Sequence, residues 1–177
     1  MTIAATLSPS PRLTLRPFEP SDVDALADLG SNPDFMRFSS GLWSREQTAA
    51  LLEHRILAPA RNGKPSQFAV IDAETKRLIG YCGFFLQEVE GVEEIEIGYR
   101  LHPEYWGRGL ATEAARAVRD HAFADLGLDR VISLIHPDNV ASRRVAEKNG
   151  MRLEKETVFR GFPTQVFSID REGWQQL

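Results

Sequence analysis

Tyr105-Trp106-Gly107-Arg108-Gly109-Leu110-Ala111-Thr112-Glu113 joins a strand end, a glycine-punctuated turn and a helix start. Gly107 and Gly109 remove side chains from the turn, so successive backbone N–H groups can converge on an anion at the positive end of the following helix. By itself a lone Gly-x-Gly is more often merely a tight turn. A Rossmann fingerprint needs a third glycine where Thr112 stands, and a phosphate loop needs Gly-Lys-Ser/Thr, which is absent.

Upstream of the turn, alternation of period two predicts strands over Gln67 to Asp72, Leu78 to Leu86 and Glu94 to Leu101. They are separated by Glu74-Thr75-Lys76 and Glu90-Gly91 turns, which implies an antiparallel meander. Downstream the period becomes helical: Ala111, Ala114 or Ala115, Val118, Ala122 and Leu126 form one apolar stripe before Gly127. Arg130 to Ile135 is β-branched and apolar. Asn139 can cap a helix through Lys148, which Asn149-Gly150 ends. Leu153 to Phe159 and Gln165 to Ile169 flank a Gly161-Phe162-Pro163 turn. On the N-terminal side, Leu13 to Arg16 reads as a strand. Ser21 can cap a helix over Asp22 to Leu29, and Ser44 with Gln47 resembles a capping box for a helix from Arg45 to Leu57, ended before Pro59. The sum is an α/β (α+β) chain with a mixed, mostly antiparallel seven-stranded sheet and flanking helices.

At 177 residues with 42% hydrophobic content the chain supports one domain, expected over residues 12–177, with 1–11 as a flexible N-terminal tail. The formal net charge of −4 argues against a protein held to nucleic acid by its overall field. A single cysteine, Cys82, excludes an intrachain disulfide framework and suits a reducing compartment, so the cytoplasm is expected. No run approaches a membrane span and no charged segment precedes an apolar one at the N-terminus. The four histidines, His54, His102, His121 and His136, have no metal-ligand spacing with Cys82, so no metal is expected.

Three blocks now carry a resemblance: Glu96-Ile97-Gly98-Tyr99, the Tyr105 to Glu113 turn, and Asn139-Val140-Ala141-Ser142 leading to Glu147-Lys148-Asn149-Gly150-Met151. In that order they resemble the GNAT superfamily of acetyl-CoA-dependent N-acetyltransferases, and within it the RimJ/RimL-like branch of ribosomal-protein N-terminal acetyltransferases. Arg12-Leu13-Thr14-Leu15-Arg16-Pro17-Phe18 resembles the same branch, so the likeness spans nearly everything after residue 11. Trp106 departs from the Gln or Arg common in the family turn.

The resemblance implies acetyl-CoA as cosubstrate, an amine acceptor (a peptide N-terminus or a small amine), no nucleic acid or membrane partner, and a monomer or homodimer. It implies that central strands 4 and 5 splay, with the pantetheine arm beside Ile97, Gly98, Tyr99, Arg100 and Leu101. The pyrophosphate is then expected on Trp106, Gly107, Arg108, Gly109, Leu110, Ala111 and Thr112, with Asn139 and Ser142 also near the cofactor. Arg143 and Arg144 could join Arg108 at the phosphates or lie on a solvated face.

Direct acyl transfer requires a base for the ammonium, a donor for the oxyanion and a proton for the thiolate. Glu96 is the preferred base, against a solvated strand carboxylate; a backbone N–H within Gly98 to Arg100 is the oxyanion donor. Ser142 resembles the branch's serine at this place and is the candidate hydroxyl donor, against an ordinary helix serine; the tyrosine many relatives place a few residues later on the same helix is missing. Glu154 matches an acidic partner in the ribosomal branch and is a second base candidate. Phe35, Met36, Phe38 and Trp43 either line the acceptor pocket or are core. A noncatalytic acyl-CoA-binding module is the competing reading.

Overall fold

The computed structural model describes residues 6–177. Alternating side chains from Gln67 onward produce the long central strands β3 (Gln67–Asp72), β4 (Leu78–Val89) and β5 (Val92–Leu101), which pair as the antiparallel meander. Around them lie β1 (Leu7–Ser10), β2 (Leu13–Pro17), β6 (Arg130–Ile135), β7 (Arg152–Phe159) and β8 (Phe162–Asp170). The order is β1-β2-β3-β4-β5-β6-β8-β7, and β5 with β6 is the parallel pair. Among the described residues the sheet has eight strands, one more than the seven expected. The extra one is Leu7–Ser10, which pairs with β2 where a tail was expected; residues 1–5 of that tail lie outside the described residues.

Helices α1 (Val23–Gly30), α2 (Arg45–Leu51), α3 (Ala58–Arg61), α4 (Leu110–Ala124), α5 (Val140–Lys148) and α6 (Arg171–Gln175) cover the sheet. Strand alternation divides the core between the two faces. Val70, Cys82, Ile97 and Leu101 meet Leu110, Ala114, Val118 and Ala122 of α4, while Ala69 and Tyr81 meet Leu26, Leu29, Leu52 and Ile56 on the opposite face. Each fully buried Leu, Val or Phe contributes about 1.5–3 kcal/mol against exposure. Helix α4 is therefore anchored under the turn that precedes it.

Two helix boundaries differ from expectation. Ser21 does not cap α1; Asp22 closes a capping box with Glu19 and pairs with Arg16 at 2.7 and 2.8 Å. Burial pushes the Asp22 carboxyl up, but these bonds outweigh it and hold it below its ordinary range. The Ser44/Gln47 capping box does form. After it, the helix does not stop before Pro59 but passes through a π-helical stretch, Leu52–Leu57, into α3. The Ala58 N–H bonds to the Glu53 carbonyl five residues back, and this shift places Pro59 in the first turn of α3, where its missing N–H costs nothing.

Candidate active site

Strand β5 touches β6 through one bridge, Glu96 with Ile132, and the two strands diverge beyond it. These are the splayed strands 4 and 5 of the sequence numbering. In a strand, the N–H and C=O of one residue share an edge and alternate between neighbours. The Arg100 carbonyl faces β4, as its approach to Gly80 requires, while the Ile97 carbonyl faces the gap and accepts a 2.7 Å bond from the Ser133 hydroxyl. Tyr99 is consequently the first residue past the bridge whose N–H points into the open gap.

The two faces of β5 present different chemistry beside that amide. Glu96 shares a face with Gly98 and Arg100, and its Oε1 lies 3.7 Å from the point a Gly98 Cβ would occupy, so the carboxylate leans along the strand. Its Oε2 accepts a 2.6 Å bond from Gln87 Nε2. Burial pushes the Glu96 carboxyl above its ordinary value; Gln87, the Leu134 amide, Arg160 and Arg100 oppose that shift without cancelling it. Desolvation thus moves this carboxylate toward the pKa of a useful base. Gly98 is required here because a Cβ would come within 2.7 Å of the Phe85 ring.

On the other face, the Tyr99 hydroxyl donates to the Ser142 carbonyl at 2.8 Å, and Ser142 Oγ donates to the Tyr99 oxygen at 3.2 Å. Burial pushes the Tyr99 phenol up, so it stays protonated. Asn139 caps α5, its Oδ1 accepting from the Ser142 amide at 3.1 Å. The cap fixes Ser142, and the missing helix tyrosine has a counterpart in a phenol supplied by the strand.

The turn has the geometry of an anion cradle. Gly107 and Gly109 have φ of +70° and +78°, and Gly109 forms the start of α4. The amides of Gly107 to Thr112 donate to no group among the described residues, as the first turn of a helix leaves them. Trp106 Nε1 donates to the Leu101 carbonyl at 2.7 Å and pins the turn to the end of β5. Arg108 lies over the Tyr105 ring. Arg12 arrives from the β1–β2 turn, pairing with Glu113 and reaching within 3.9 Å of a Cβ at Gly109, a proximity that local sequence could not reveal.

Other expected site residues lie elsewhere. Glu154 pairs with Arg130 at 2.8 Å, which also holds Glu94, at the closed end of the β5–β6 pair. The Arg130 hydrogen bond keeps the Glu154 carboxyl below its ordinary range, the wrong direction for a base. Phe35 and Met36 are 2% and 3% exposed and belong to the core beneath the site rather than to a pocket wall. Trp43 packs on Gly30 and is partly buried against the same core cluster. Phe38 alone of the four is exposed, its ring 5.6 Å from that of His136 across the open end of the gap. Phe85, Gln87, Arg100 and Arg160 surround Glu96 without having been expected there as acceptor-side residues; β4–β5 register and the β7–β8 hairpin bring them together.

Among the described residues no His, Cys, Asp and Glu group could hold a metal, and no helix is long and apolar enough to cross a membrane. Cys82 is buried, and burial pushes its thiol up, so it is a core residue.

The family described as acetyltransferase (GNAT) domain matches residues 12–152. The chain is 38% identical to an uncharacterized protein, YkkB, of Bacillus subtilis, over 81% of this chain and 84% of that one. It is 31% identical to an uncharacterized N-acetyltransferase, p20, of Bacillus licheniformis, over 85% and 84%. Among solved structures, a RimL ribosomal L7/L12 α-N-protein acetyltransferase in complex with coenzyme A superposes with a TM-score of 0.79. It covers 96% of this chain and 99% of that one at 20% identity, a likeness of fold.

Proposed function

This chain belongs to the GNAT acetyltransferase domain family, and from that premise we propose that it transfers acetyl from acetyl-CoA to a primary amine, a protein or peptide N-terminal amine, within a ternary complex. The observation that carries the reading is Tyr99, whose N–H faces the gap between Glu96 on one face of the strand and the Ser142/Tyr99 hydroxyl pair on the other. The free amides from Gly107 to Thr112 suit a pyrophosphate, and Ile97 to Leu101 line the gap that suits the pantetheine arm.

Glu96 removes a proton from the ammonium, freeing the nitrogen lone pair to form the bond to the thioester carbonyl carbon. The Tyr99 N–H donates to the oxygen as it gains charge, with no side chain to reorganise. When the carbon–sulfur bond breaks, Ser142 Oγ–H is positioned to protonate the thiolate. As the amide forms, the nitrogen sheds its second proton, which returns through solvent to the Tyr99 oxygen as the phenol passes its own proton to Ser142, so the phenol is not left ionised and the pair acts as a short relay. Because base and donor occupy opposite strand faces, neither proton competes for the other's acceptor.

The test is a mass-resolved screen of peptides and small amines with acetyl-CoA, recording N-acetyl product and free thiol. Stoichiometric thiol and an acetylated N-terminus support the proposal. Acetylation of side-chain or small amines with none at peptide N-termini would replace the acceptor assignment, and saturable CoA binding with no product would leave only a binding module.

A further inference from the structure

Resting on that acetyl-transfer reading, we infer that the acceptor carries a carboxylate close to its amine, recognised by Arg160 and Arg100. Arg160 stands at the tip of the β7–β8 hairpin, its guanidinium 5.0 Å from the Phe159 ring centroid. Its Nη2 donates to Gln87 Oε1 at 3.0 Å, and the same Gln87 amide donates to Glu96 at 2.6 Å. One side-chain amide therefore separates this cation from the proposed base. Arg100 lies two alternations along β5 from Glu96 on the same face, over the Phe35 ring, with Nη1 bonded to the Ser39 hydroxyl and 3.3 Å from Met36 Sδ.

Neither guanidinium has a carboxylate partner among the described residues. Several other cations do: Arg130 holds Glu94 and Glu154, Lys155 holds Glu90, Arg16 holds Asp22 and Arg12 holds Glu113. Other arginines, such as Arg108, Arg143 and Arg152, also lack one, but Arg100 and Arg160 are the two whose charge reaches the one carboxylate assigned to chemistry. A guanidinium offers five N–H donors in a planar fork; Arg160 and Arg100 each have only one nitrogen committed, leaving a face for a planar anion. Their stacking on Phe159 and Phe35 fixes the forks in advance, which lowers the ordering cost of capturing a carboxylate. A polyamine in the same place would bring further positive charge against both forks.

Two sources supply such a group: the α-carboxylate of a free amino acid, or an acidic side chain at the start of a peptide. Matched pairs read the difference. Initial kcat/KM is measured for an amino acid against its carboxamide, and for peptides beginning Asp or Glu against Asn or Gln. Carboxamides have the less basic amine, so more of it is neutral near pH 7 and intrinsic reactivity favours them. A tenfold or greater preference for the acid in either pair supports the inference and identifies the source by which pair shows it. In R160Q, with R100Q as the second variant, the acid-to-amide ratio is expected to fall to within threefold of one. A wild-type preference for carboxamides or polyamines overturns the inference, as does a ratio that survives in both variants. Acetylation without any charge preference refutes the carboxylate and leaves acetyl transfer standing, whereas no acetylation of any amine refutes both.

Discussion

Glu96→Gln separates catalysis from stability because the two respond in opposite directions. Glutamine keeps the size of the side chain and a partner for Gln87, but it cannot take a proton. A positioned general base contributes about 10²–10⁴-fold, and each tenfold loss is about 1.4 kcal/mol of barrier. The lower end applies here, since an N-terminal amine with a pKa of about 7.9 is already roughly 11% neutral at pH 7. That fraction rises to about 93% at pH 9, roughly eightfold, so the loss of kcat/KM should be near 100-fold at pH 7 and shrink about eightfold by pH 9. Stability should move the other way. Burial raises the Glu96 carboxyl in the folded state; the stability of its neutral form is fully present below the ordinary glutamate value and is lost as pH rises through the raised one. Glutamine never ionises, so E96Q should have a Tm at or above wild type at neutral pH, with a gap that widens from acid pH upward. Steady-state kinetics between pH 6.5 and 9 and thermal melts across pH 4 to 8 measure both. Activity within threefold of wild type at pH 7 would remove Glu96 as the base. A lowered Tm accompanying the lost activity would mean that the carboxylate is structural.

Tyr99→Phe and Ser142→Ala should each lower kcat about tenfold or more with little change in acetyl-CoA KM, and the double variant should lose less than the product of the two, since the hydroxyls act in series. Strictly multiplicative losses in a double-mutant cycle would sink the relay. Gly109→Ala places a methyl-bearing residue at φ +78°, costing roughly 1–2 kcal/mol of stability and loosening the cradle. Calorimetric titration with CoA should show about tenfold weaker binding for each charge-assisted amide bond lost, and unchanged affinity would mean the turn does not hold the phosphates. Glu154→Gln should leave kcat/KM within twofold at pH 7.5. Its charge contribution, held by Arg130, is present above the ordinary glutamate value and fades as pH falls through the lowered one, so any Tm difference should vanish in acid. A hundredfold loss of activity in E154Q would restore it as a base candidate.

Local rules read well wherever one segment carries its own reason. Asn139 caps α5, Ser44 and Gln47 form their box, and Gly107 and Gly109 take positive φ, because each depends on residues within a few positions. Strand alternation puts Glu94, Glu96 and Gly98 on one face and Ile95, Ile97 and Tyr99 on the other. The misses share a different cause. Glu154 matched an acidic residue by position, yet its charge state depends on Arg130 from another strand. Phe35 and Met36 have the composition of a pocket wall and of a core alike, and only packing against Tyr81, Leu52 and Ile56 separates the two. Leu7–Ser10 carries little strand propensity and is a strand because β2 offers it an edge.

The amino-acid sequence by itself determined the order of elements from Leu13 onward, the glycine turn and the kinship that the blocks from Glu96 to Met151 announce, since these rest on periodicity and on backbone freedom at glycine. Tertiary structure decided which amide faces the gap, which carboxylate is desolvated rather than paired, and which hydroxyl reaches Ser142. It also decided that Arg100 and Arg160 flank Glu96. Those are properties of strand register and burial: Arg160 is 64 residues from Glu96 in the chain and one glutamine away in space. Electrostatic character depends on such neighbours and on exclusion of water, which no local pattern encodes.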